Sequence, residues 1–323
     1  MADRGFDAGT RTVLVTGGTG FIGRPLCRHI LRHPEWRLRR LVRPAPGRIL
    51  DPTTDVAGDL QQVDDVQKFV EKGDSLIHLA CTTTPRTSDK RLTEDIERNL
   101  ATSVRLFDEF LRRNSGGHIV FASTGGDMYT FDPPHVPRRE TDQVVPHSGY
   151  STHKLAAEQY LRLLCARHGG SGTVLRIGNP YGERVSEDRG HGLIGIALIK
   201  ALLGHELEVL EPLDSVRDYL HVDDLVAAFV AVIRSVPGVG CCETFNVGSG
   251  SGCSIGQVIE TVQNISGRPL AWRSVVAAGQ RASWNVLDSS RFSESFGWTT
   301  TIPFAEGVRR LWGQLLATQG GPG

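Results

Sequence analysis

The sequence has no excess of either charge, since 36 basic residues balance 36 acidic residues among 323. It therefore lacks the net field that attracts proteins to nucleic acids or to anionic membranes. It also lacks any apolar run close to the ~20 residues that a membrane-spanning helix needs. The first ten residues contain no apolar core of a secretory signal. We expect a cytoplasmic protein that binds neither nucleic acid nor membrane.

Cysteine is sparse and unpatterned. None of the six cysteines belongs to a Cys-x-x-Cys motif: Cys27, Cys81, Cys165, Cys241, Cys242 and Cys253. Because no framework spacing or tight Cys/His cluster occurs, the sequence predicts neither a disulfide scaffold nor a metal site. Unpaired thiols in a reducing compartment are the expected state.

The first half of the chain alternates β-rich runs with helical patterns. The predicted strands are Thr12–Thr16, Leu38–Val42, Asp55–Ala57, Ser75–Ala80, His118–Ser123 and Thr173–Ile177. The predicted helices are Phe21–Arg32, Val63–Lys72, Leu92–Arg113 and Ser151–Arg167. Continuously apolar strands such as the first are typical of a parallel sheet covered on both faces. The alternation predicts an α/β fold with a doubly wound, mostly parallel sheet.

The second half has a looser rhythm. It contains four predicted helices and two strands: Leu193–Leu203, Asp223–Arg234, Ile255–Ile265, Ala305–Leu316, Glu208–Leu210 and Thr244–Val247. We expect residues 1–180 to form a dinucleotide-binding domain and residues 181–323 a smaller α/β substrate lobe. Segments near 218–250 are expected to return to the first domain. Surface or lid loops are predicted at Pro133–Pro137 and Arg184–Gly192.

A glycine-rich turn follows the first predicted strand. Gly17, Gly20 and Gly23 are spaced three apart, and Phe21 and Ile22 open the helix that follows. Glycine permits a tight turn and a close backbone approach to pyrophosphate, and the helix N-terminus supplies free N–H groups. The alternative is a plain strand–helix turn, but its place on the first strand of a βαβ series favours cofactor binding.

The end of the second strand bears on the type of cofactor. An acidic residue there would accept hydrogen bonds from the ribose 2′-OH of NAD, but this chain has Arg43. An arginine suits a 2′-phosphate, so the sequence favours NADP over NAD while leaving both open. Asp59, after the third strand, is predicted to meet the adenine edge; the alternative is a helix N-cap.

Tyr150 and Lys154 carry the clearest chemical signal. Their i, i+4 spacing places them on one helical face, which Ala157 and Leu161 continue inward. A buried lysine needs a partner or a role, and one role is to lower the pKa of a nearby phenol that acts in catalysis. A third member is expected where the fifth strand ends. There we favour the hydroxyl of Thr124, with that of Ser123 as the alternative.

These residues resemble the extended short-chain dehydrogenase/reductases, the NAD-dependent epimerase/dehydratase family. The resemblance extends from Thr12 to Leu316 and rests on motifs in the family's order: Thr16–Gly23, Asp59–Leu60, His78–Ala80, Asn99, Ser123–Thr124, Tyr150 and Lys154, Asn179–Gly182, Arg217–Asp224 and Phe245–Gly250. It implies a Rossmann domain that binds NAD or NADP. It also implies a homodimer formed by mid-chain helices.

The resemblance implies roles for matching positions. The cofactor would be held by the glycine turn and by Leu60, Leu79, Ala80, Asn99, Tyr150 and Lys154. Asn179 and Arg217 would grip the diphosphate of a nucleotide-sugar, Arg281 is a candidate second arginine, and Asn285 would lie near the sugar. Gly125 and Gly126 occupy the place of the Asp-Glu pair that drives dehydration in family dehydratases, which disfavours that reaction.

Three functions remain open on this evidence. The segment Ser123–Gly126 resembles that of UDP-glucose 4-epimerase-like enzymes and favours a nucleotide-sugar 4-epimerase acting through a transient 4-keto sugar. Arg43 favours an NADPH-dependent reductase of a nucleotide-linked 4-keto sugar. A non-catalytic cofactor-sensing protein is disfavoured, since such a protein has no need of Tyr150, Lys154 and a strand-end hydroxyl together.

Overall fold

The computed structural model describes residues 10–71, 73–131, 135–184, 192–235, 238, 240–277 and 279–319. The chain divides into two compact units. Unit 1 comprises Met1–Met128, Pro146–Arg176 and Phe229–Phe245, and unit 2 comprises Tyr129–Val145, Ile177–Ala228 and Asn246–Gly323. Three sequence predictions fall partly or wholly outside the described residues. They are the loops at 133–137 and 184–192 and the last residue of the helix predicted at 63–72.

Unit 1 is built on a seven-stranded sheet. Its strands are β1 (Arg11–Thr16), β2 (Trp36–Val42), β3 (Asp55–Ala57), β4 (Ser75–His78), β5 (His118–Thr124), β6 (Ser171–Ile177) and β10 (Cys242–Val247). Their order across the sheet is β10-β6-β5-β4-β1-β2-β3. Strand β1 pairs in parallel with β2 and β4, and so do β2 with β3 and β4 with β5.

Helices connect these strands. They are α1 (Gly23–Ile30), α2 (Val63–Phe69), α3 (Pro85–Ser88), α4 (Leu92–Asp95), a π-helical turn (Ile96–Ala101), α5 (Thr102–Arg113), α6 (Gly149–His168) and α8 (Val222–Arg234), the last of which begins in unit 2. The apolar sheet face and helix stripes meet in one core, where Leu14, Leu76, Phe107, Ile119 and Leu161 are fully buried. The predicted doubly wound α/β fold is confirmed.

Unit 2 contains smaller sheets and its own core. Its strands are β7 (Asn179–Tyr181), β8 (Leu207–Val209), β9 (Val216–His221), β11 (Gly252–Ser254), β12 (Trp272–Ser274) and β13 (Trp284–Asn285). Its helices are α7 (Leu193–Leu203), α9 (Ile255–Ser266), α10 (Ser290–Phe296) and α11 (Phe304–Gln319). Strand β9 pairs with β7, β11 and β13. Among the described helices of both units, none has the length and apolarity needed to span a membrane.

The long helix predicted over Leu92–Arg113 is interrupted. The structure has α4, then the π-helical turn, then α5. A π turn contains one more residue than an α turn and often occurs at functional sites. The apolar periodicity of the sequence does not show this insertion, since Asn99 and its neighbours fit either geometry.

Strand order determines where a ligand can bind in unit 1. From β1 the chain adds β2 and β3 on one side, and it then returns to add β4, β5 and β6 on the other side, so that β1 and β4 are neighbours. Connections leave these two strands in opposite directions, so a crevice opens outside their carboxyl ends. The glycine turn follows β1, and Leu79 and Ala80 follow β4. The fold thus brings both predicted cofactor segments to one edge of the sheet.

A buried ion pair ties this sheet to α6. Glu158, fully buried, is bound by Arg176 at 2.8 Å between Oε2 and Nη2, and Ser123 Oγ donates to its Oε1 at 2.5 Å. We expect Glu158→Gln to lower the free energy of unfolding by about 3–5 kcal/mol, because it removes the buried carboxylate that pairs with the buried Arg176 cation. Urea denaturation followed by circular dichroism measures the loss.

Glu306→Gln is the matched control, since Glu306 pairs with Arg309 and Arg310 on an exposed helix face. Exposed pairs contribute little, so this variant should unfold close to the native midpoint. Equal stability of Glu158→Gln and the native protein would contradict the role given to the buried pair.

Candidate active site

The glycine turn has no room for side chains. Gly17 has a φ of +71°, and a Cβ there would lie 2.7 Å from the backbone nitrogen of Ala80. A Cβ on Gly23 would lie 2.1 Å from the Gly17 carbonyl oxygen, which accepts a hydrogen bond from Gly20 N at 2.9 Å. The spacing of the three glycines is therefore a steric requirement of this turn.

The turn fits the pyrophosphate of a dinucleotide. Thr19 and Gly20 are exposed at its tip, and Phe21 and Ile22 lead into α1, which begins at Gly23. The free backbone N–H groups and the positive end of the helix dipole are at this point. When the cofactor is bound, the backbone of residues 17–23 would hold its phosphates.

The residues predicted to meet the adenosine end contact each other. Arg43 Nε lies 3.2 Å from Asp59 Oδ2, and Arg43 remains 59% exposed. Asp59 Oδ1 accepts from Gln61 N at 3.0 Å, and Leu60 is partly buried. Asp59 is not the N-cap of α2, which is Gln62. An exposed pair of this kind is weak, so Arg43 can exchange its carboxylate partner for a phosphate.

Arg40 is a residue that sequence reasoning missed. Its Cδ would lie 2.9 Å from a Cβ on Gly18, so the arginine stem packs against the glycine turn. Its guanidinium pairs with Asp55 at 2.6 Å. The sequence does not distinguish Arg40 from the other arginines of β2. Only the pairing of β1 with β2, which places Arg40 beside Val15, brings it close to the glycine turn.

A polar chain joins the ends of β1 and β4. Thr16 Oγ1 lies 2.6 Å from His78 Nδ1, and His78 Nε2 lies 2.8 Å from Ser103 Oγ. Burial, with the positive charges of Lys154 and His153, lowers the pKa of His78 to about 3. His78 is therefore a neutral structural link, and Leu79 and Ala80 follow it at the sheet edge.

Lys154 points inward, as its spacing predicts. It is 3% exposed and lies on the face that carries the fully buried Ala157 and Leu161. Its Nζ donates to the carbonyl oxygen of Ala122 at 2.8 Å and lies 4.8 Å from the centroid of the Phe121 ring. The Tyr150 ring is 5.6 Å from the same nitrogen. The inward face of α6 is confirmed.

The expected lowering of the phenol pKa does not occur. Burial raises the pKa of Tyr150 above its ordinary value, and the negative charges of Cys81, Asp127 and Asp95 raise it further. Lys154 Nζ is 5.6 Å from the centroid of the ring and donates its hydrogen bond to a backbone carbonyl, so its charge does not dominate. Tyr150 is thus a protonated phenol at neutral pH and is ready to donate.

The two hydroxyls at the end of β5 differ in their partners. Ser123 Oγ donates to the buried Glu158, which makes it part of the core. The side chain of Thr124 makes no hydrogen bond within the described part of the chain, and neither does the phenol of Tyr150. Successive strand residues face opposite sides of a sheet. This difference favours Thr124 over Ser123 as the hydroxyl that meets a substrate.

The start of α6 is fixed by residues that sequence reasoning did not single out. Ser148 caps the helix by accepting from Ser151 N, and its own Oγ donates to Asp127 Oδ2 at 2.5 Å. Gly149 N donates to Asp89 Oδ1 at 2.7 Å. A serine three residues before Ser151 was the available signal, because such spacing is typical of a capping box. These contacts set the position of Tyr150 in the first turn.

A second polar network lies beside Tyr150 and Lys154. Asn99 Oδ1 accepts from Thr82 N at 2.9 Å, and its Nδ2 donates to Asp95 Oδ1 at 2.8 Å. Asp95 Oδ2 lies 2.6 Å from His153 Nδ1, and His153 Nε2 lies 3.9 Å from Cys81 Sγ. Asn99 thus holds the segment after β4. Asp95, His153 and Cys81 were not among the predicted site residues.

The predicted substrate residues belong to unit 2. Asn285 pairs with Arg217 in neighbouring strands, and Asn179 Nδ2 donates to the carbonyl oxygen of Asp218 at 3.1 Å. Arg217 stacks on Phe131 and donates to Glu211 and, at 2.6 Å, to Ser283 Oγ. Its acidic partner is therefore Glu211. These three predicted residues share the sheet around β9.

Arg281 is not part of that sheet. It is exposed, and its side chain makes no hydrogen bond or ion pair within the residues that the structure describes. The described ranges also contain no group of His, Cys, Asp and Glu side chains arranged to hold a metal ion.

Known proteins resemble this chain over nearly its whole length. The model of the NAD dependent epimerase/dehydratase family matches residues 13–248. The dTDP-4-dehydro-6-deoxyglucose reductase of Escherichia coli is 28% identical over 94% of this chain and 98% of its own length.

Two solved structures have the same fold. The UDP-glucose 4-epimerase of Thermotoga maritima, determined with UDP-glucose, is 25% identical, covers 95% of this chain and 99% of its own, and superposes with a TM-score of 0.84. The UDP-glucose 4-epimerase of Thermus thermophilus, determined with NAD, is 26% identical, covers 96% and 100%, and has a TM-score of 0.83. Together with the Escherichia coli reductase, these likenesses include both reaction types that the sequence left open.

Gly23→Ala tests the cofactor site. The added methyl would meet the Gly17 carbonyl oxygen at 2.1 Å, so the turn must open. We expect NAD and NADPH binding, measured by calorimetry, to fall at least about tenfold, a loss of about 1.4 kcal/mol or more. Gly313→Ala in α11 is the control, since a Cβ there meets nothing within 4 Å. Native affinity in Gly23→Ala would contradict the assignment of this turn.

Proposed function

This chain belongs to the NAD-dependent epimerase/dehydratase family of extended short-chain dehydrogenase/reductases, and we propose that it is a nucleotide-sugar 4-epimerase. It is an NAD(P)-dependent enzyme. The proposed substrate is a sugar linked to a nucleoside diphosphate, and the proposed reaction inverts the configuration at C4 through a transient 4-keto sugar.

One observation carries the proposal. The hydroxyls of Thr124 and Tyr150 have no hydrogen-bond partner among the described residues, while their neighbours Ser123 and Lys154 are both engaged. These hydroxyls lie near the carboxyl edge of the sheet, where the glycine turn and the buried Lys154 also lie. They can therefore form hydrogen bonds with the hydroxyl or carbonyl group of a substrate. Tyr150 is partly exposed, so a ligand can reach its hydroxyl.

The residues divide the proton chemistry between them. Thr124 would hold the C4 oxygen by a hydrogen bond, and Tyr150 Oη would exchange the proton with it. Because the pKa of Tyr150 is raised, proton donation to the ketone is its easier direction. Lys154 would stabilise the phenolate in the opposite direction by its charge. When bound, NAD or NADP supplies the centre that accepts a hydride from the sugar and returns it.

Residues of unit 2 are proposed to bind the nucleotide diphosphate. A diphosphate would compete with Glu211 for the Arg217 guanidinium, whose planar fork suits phosphate oxygens. Asn179 and Asn285 are proposed to assist it. Arg281, exposed and without a contact in the described chain, is a second cation available to such a ligand.

The alternative function is an NADPH-dependent reductase of a nucleotide-linked 4-keto sugar. The similarity to the Escherichia coli reductase favours it, and so does the exposed Arg43 near the expected adenosine site. Tyr150, as a protonated phenol, would supply the proton once. We prefer the epimerase because both solved structures described above are UDP-glucose 4-epimerases.

Tyr150→Phe tests the proton exchange. The variant keeps the ring and removes only the hydroxyl, so turnover of UDP-glucose or the true substrate should fall by about 10²–10⁴-fold. Cofactor affinity should change little, since the phenol forms no part of the glycine turn. Tyr160→Phe, on an exposed position of the same helix, is the control and should keep full activity. Normal turnover in Tyr150→Phe would remove this residue from the mechanism.

The cofactor released on denaturation separates the two functions. We expect the purified protein to release NAD, identified by mass spectrometry, and to act without added cofactor, because an epimerase must retain its cofactor until the ketone is reduced. The Gly23→Ala variant is the control and should release less NAD per mole of protein. If the native protein is purified without bound cofactor and consumes NADPH stoichiometrically, it is a reductase, and the epimerase proposal is wrong.

A further inference from the structure

Cys81 lies at the carboxyl edge of the sheet, directly after Ala80. It is partly exposed, and its Sγ lies 3.4 Å from the carbonyl oxygen of Thr83 and 3.9 Å from Nε2 of His153. Neither the glycine turn nor the Tyr150–Lys154 pair requires a thiol at this place. Its surroundings are therefore a separate feature of the site.

The imidazole beside this thiol is oriented by a carboxylate. His153 Nδ1 and Asp95 Oδ2 are 2.6 Å apart, and both side chains are buried. A carboxylate only accepts hydrogen bonds, so Nδ1 carries a proton, and Nε2 faces Cys81 and can take the proton of its thiol, which makes the imidazole positive. The thiol of Cys81, the imidazole of His153 and the carboxylate of Asp95 thus contact one another in the order nucleophile, base and orienting group. Enzymes activate nucleophiles by this arrangement.

The orienting carboxylate is itself fixed. Asp95 Oδ1 accepts from Asn99 Nδ2 at 2.8 Å and from the hydroxyl of Thr83. Thr83 also belongs to the segment that holds Cys81. Both ends of the Cys81–His153–Asp95 line are therefore attached to the same short segment after β4, which limits the freedom of the imidazole.

The charges around Cys81 favour its thiolate. Burial raises the pKa of the thiol, but the charge of Lys154 and the hydrogen bond and charge of His153 outweigh it and lower the pKa to about 7. Tyr150, Asp95, His78 and Glu158 also interact electrostatically with members of this cluster. By contrast, burial raises the pKa of Cys27 and of Cys253 to about 11. Cys81 is thus distinguished from these two by specific partners.

We propose that Cys81 is a peroxide-reactive thiol, and that its oxidation to the sulfenic acid weakens cofactor binding. The thiolate sulfur attacks one peroxide oxygen, so that an S–O bond forms and the O–O bond breaks. The leaving hydroxide takes the proton that His153 Nε2 received from the thiol and departs as water. The sulfur loses two electrons and the peroxide gains them.

The consequence for the cofactor follows from the position of Ala80. A Cβ on Gly17 would lie 2.7 Å from the backbone nitrogen of Ala80, so Ala80 can occupy this position only because residue 17 is a glycine. The segment after β4 and the glycine turn are therefore in close contact. An oxygen atom added to Cys81, the next residue, needs space at this edge. The inference concerns the cofactor alone and does not depend on which sugar the enzyme converts.

Alkylation measures the thiolate directly. The native protein is treated with iodoacetamide between about pH 5.5 and 9.5, a range that brackets the ordinary thiol pKa, and peptide mass spectrometry follows each cysteine. We expect a midpoint near pH 7 for Cys81. The exposed Cys241 of the same molecule is the internal control for reagent access, and near pH 7 it should be alkylated more slowly than Cys81.

Two matched variants test the imidazole. His153→Gln should raise the Cys81 midpoint by at least about one pH unit, which lowers its alkylation rate near pH 6 about tenfold. His168→Gln makes the same change at another His–Asp pair of α6, which joins Asp108 at 2.8 Å, and should leave Cys81 unchanged. Equal effects of the two variants would overturn the activation by His153.

Cofactor titration tests the consequence. After treatment with hydrogen peroxide, dimedone labelling should locate a sulfenic acid at Cys81, and NADPH or NADH fluorescence titration should show at least about tenfold weaker binding, or about 1.4 kcal/mol. Dithiothreitol should restore it. Cys81→Ser should bind cofactor before and after peroxide alike. The proposal is overturned if Cys81 reacts no faster than Cys241, or if its sulfenic acid leaves native cofactor affinity.

Discussion

The buried ammonium group of Lys154 is the constraint on which the active site depends. A cation at this depth is costly, and burial lowers its pKa. The structure offsets the cost with the Ala122 carbonyl, 2.8 Å away, and with the face of Phe121. The same charge lowers the pKa of Cys81 and adds to burial, the larger cause, in lowering the pKa of His78. One lysine thus acts on two neighbouring ionisable groups, and the β5 carbonyl that binds it holds α6 against the sheet.

Much of the fold could be predicted because its signals are local. The apolar run before the glycine turn specifies a buried strand, and the predicted β3 and α7 have the observed bounds, Asp55–Ala57 and Leu193–Leu203. The inward face of α6 follows from the spacing of Lys154 and Leu161. Strands such as β9, Val216–His221, escaped prediction because arginine, aspartate and histidine interrupt the apolar alternation, and their burial depends on partners distant in sequence.

The side-chain partners could not be predicted, because each depends on contacts across many residues of chain. Arg43 faces Asp59, and Arg217 faces Glu211 instead of the acidic residues next to it in sequence. The raised pKa of Tyr150 has the same origin, since spacing identified its lysine neighbour but not Asp95 and Cys81. A motif identifies which residue does the chemistry. Its protonation state depends on everything that packs around it.

The π-helical turn explains how one helical segment serves both the core and the site. Before it, Asp95 faces His153; within it, Asn99 holds the segment after β4; beyond it, Phe107 and Phe110 are fully buried in the sheet core. An inserted residue in a turn moves the following side chains about 100° around the axis, a shift that follows from about 3.6 residues per turn. The polar contacts of Asp95 and Asn99 can thereby be directed separately from the apolar packing of α5. Asn99 binds both Asp95, which orients the imidazole beside Cys81, and Thr82, which follows Cys81, so the imidazole and the segment after β4 share one support.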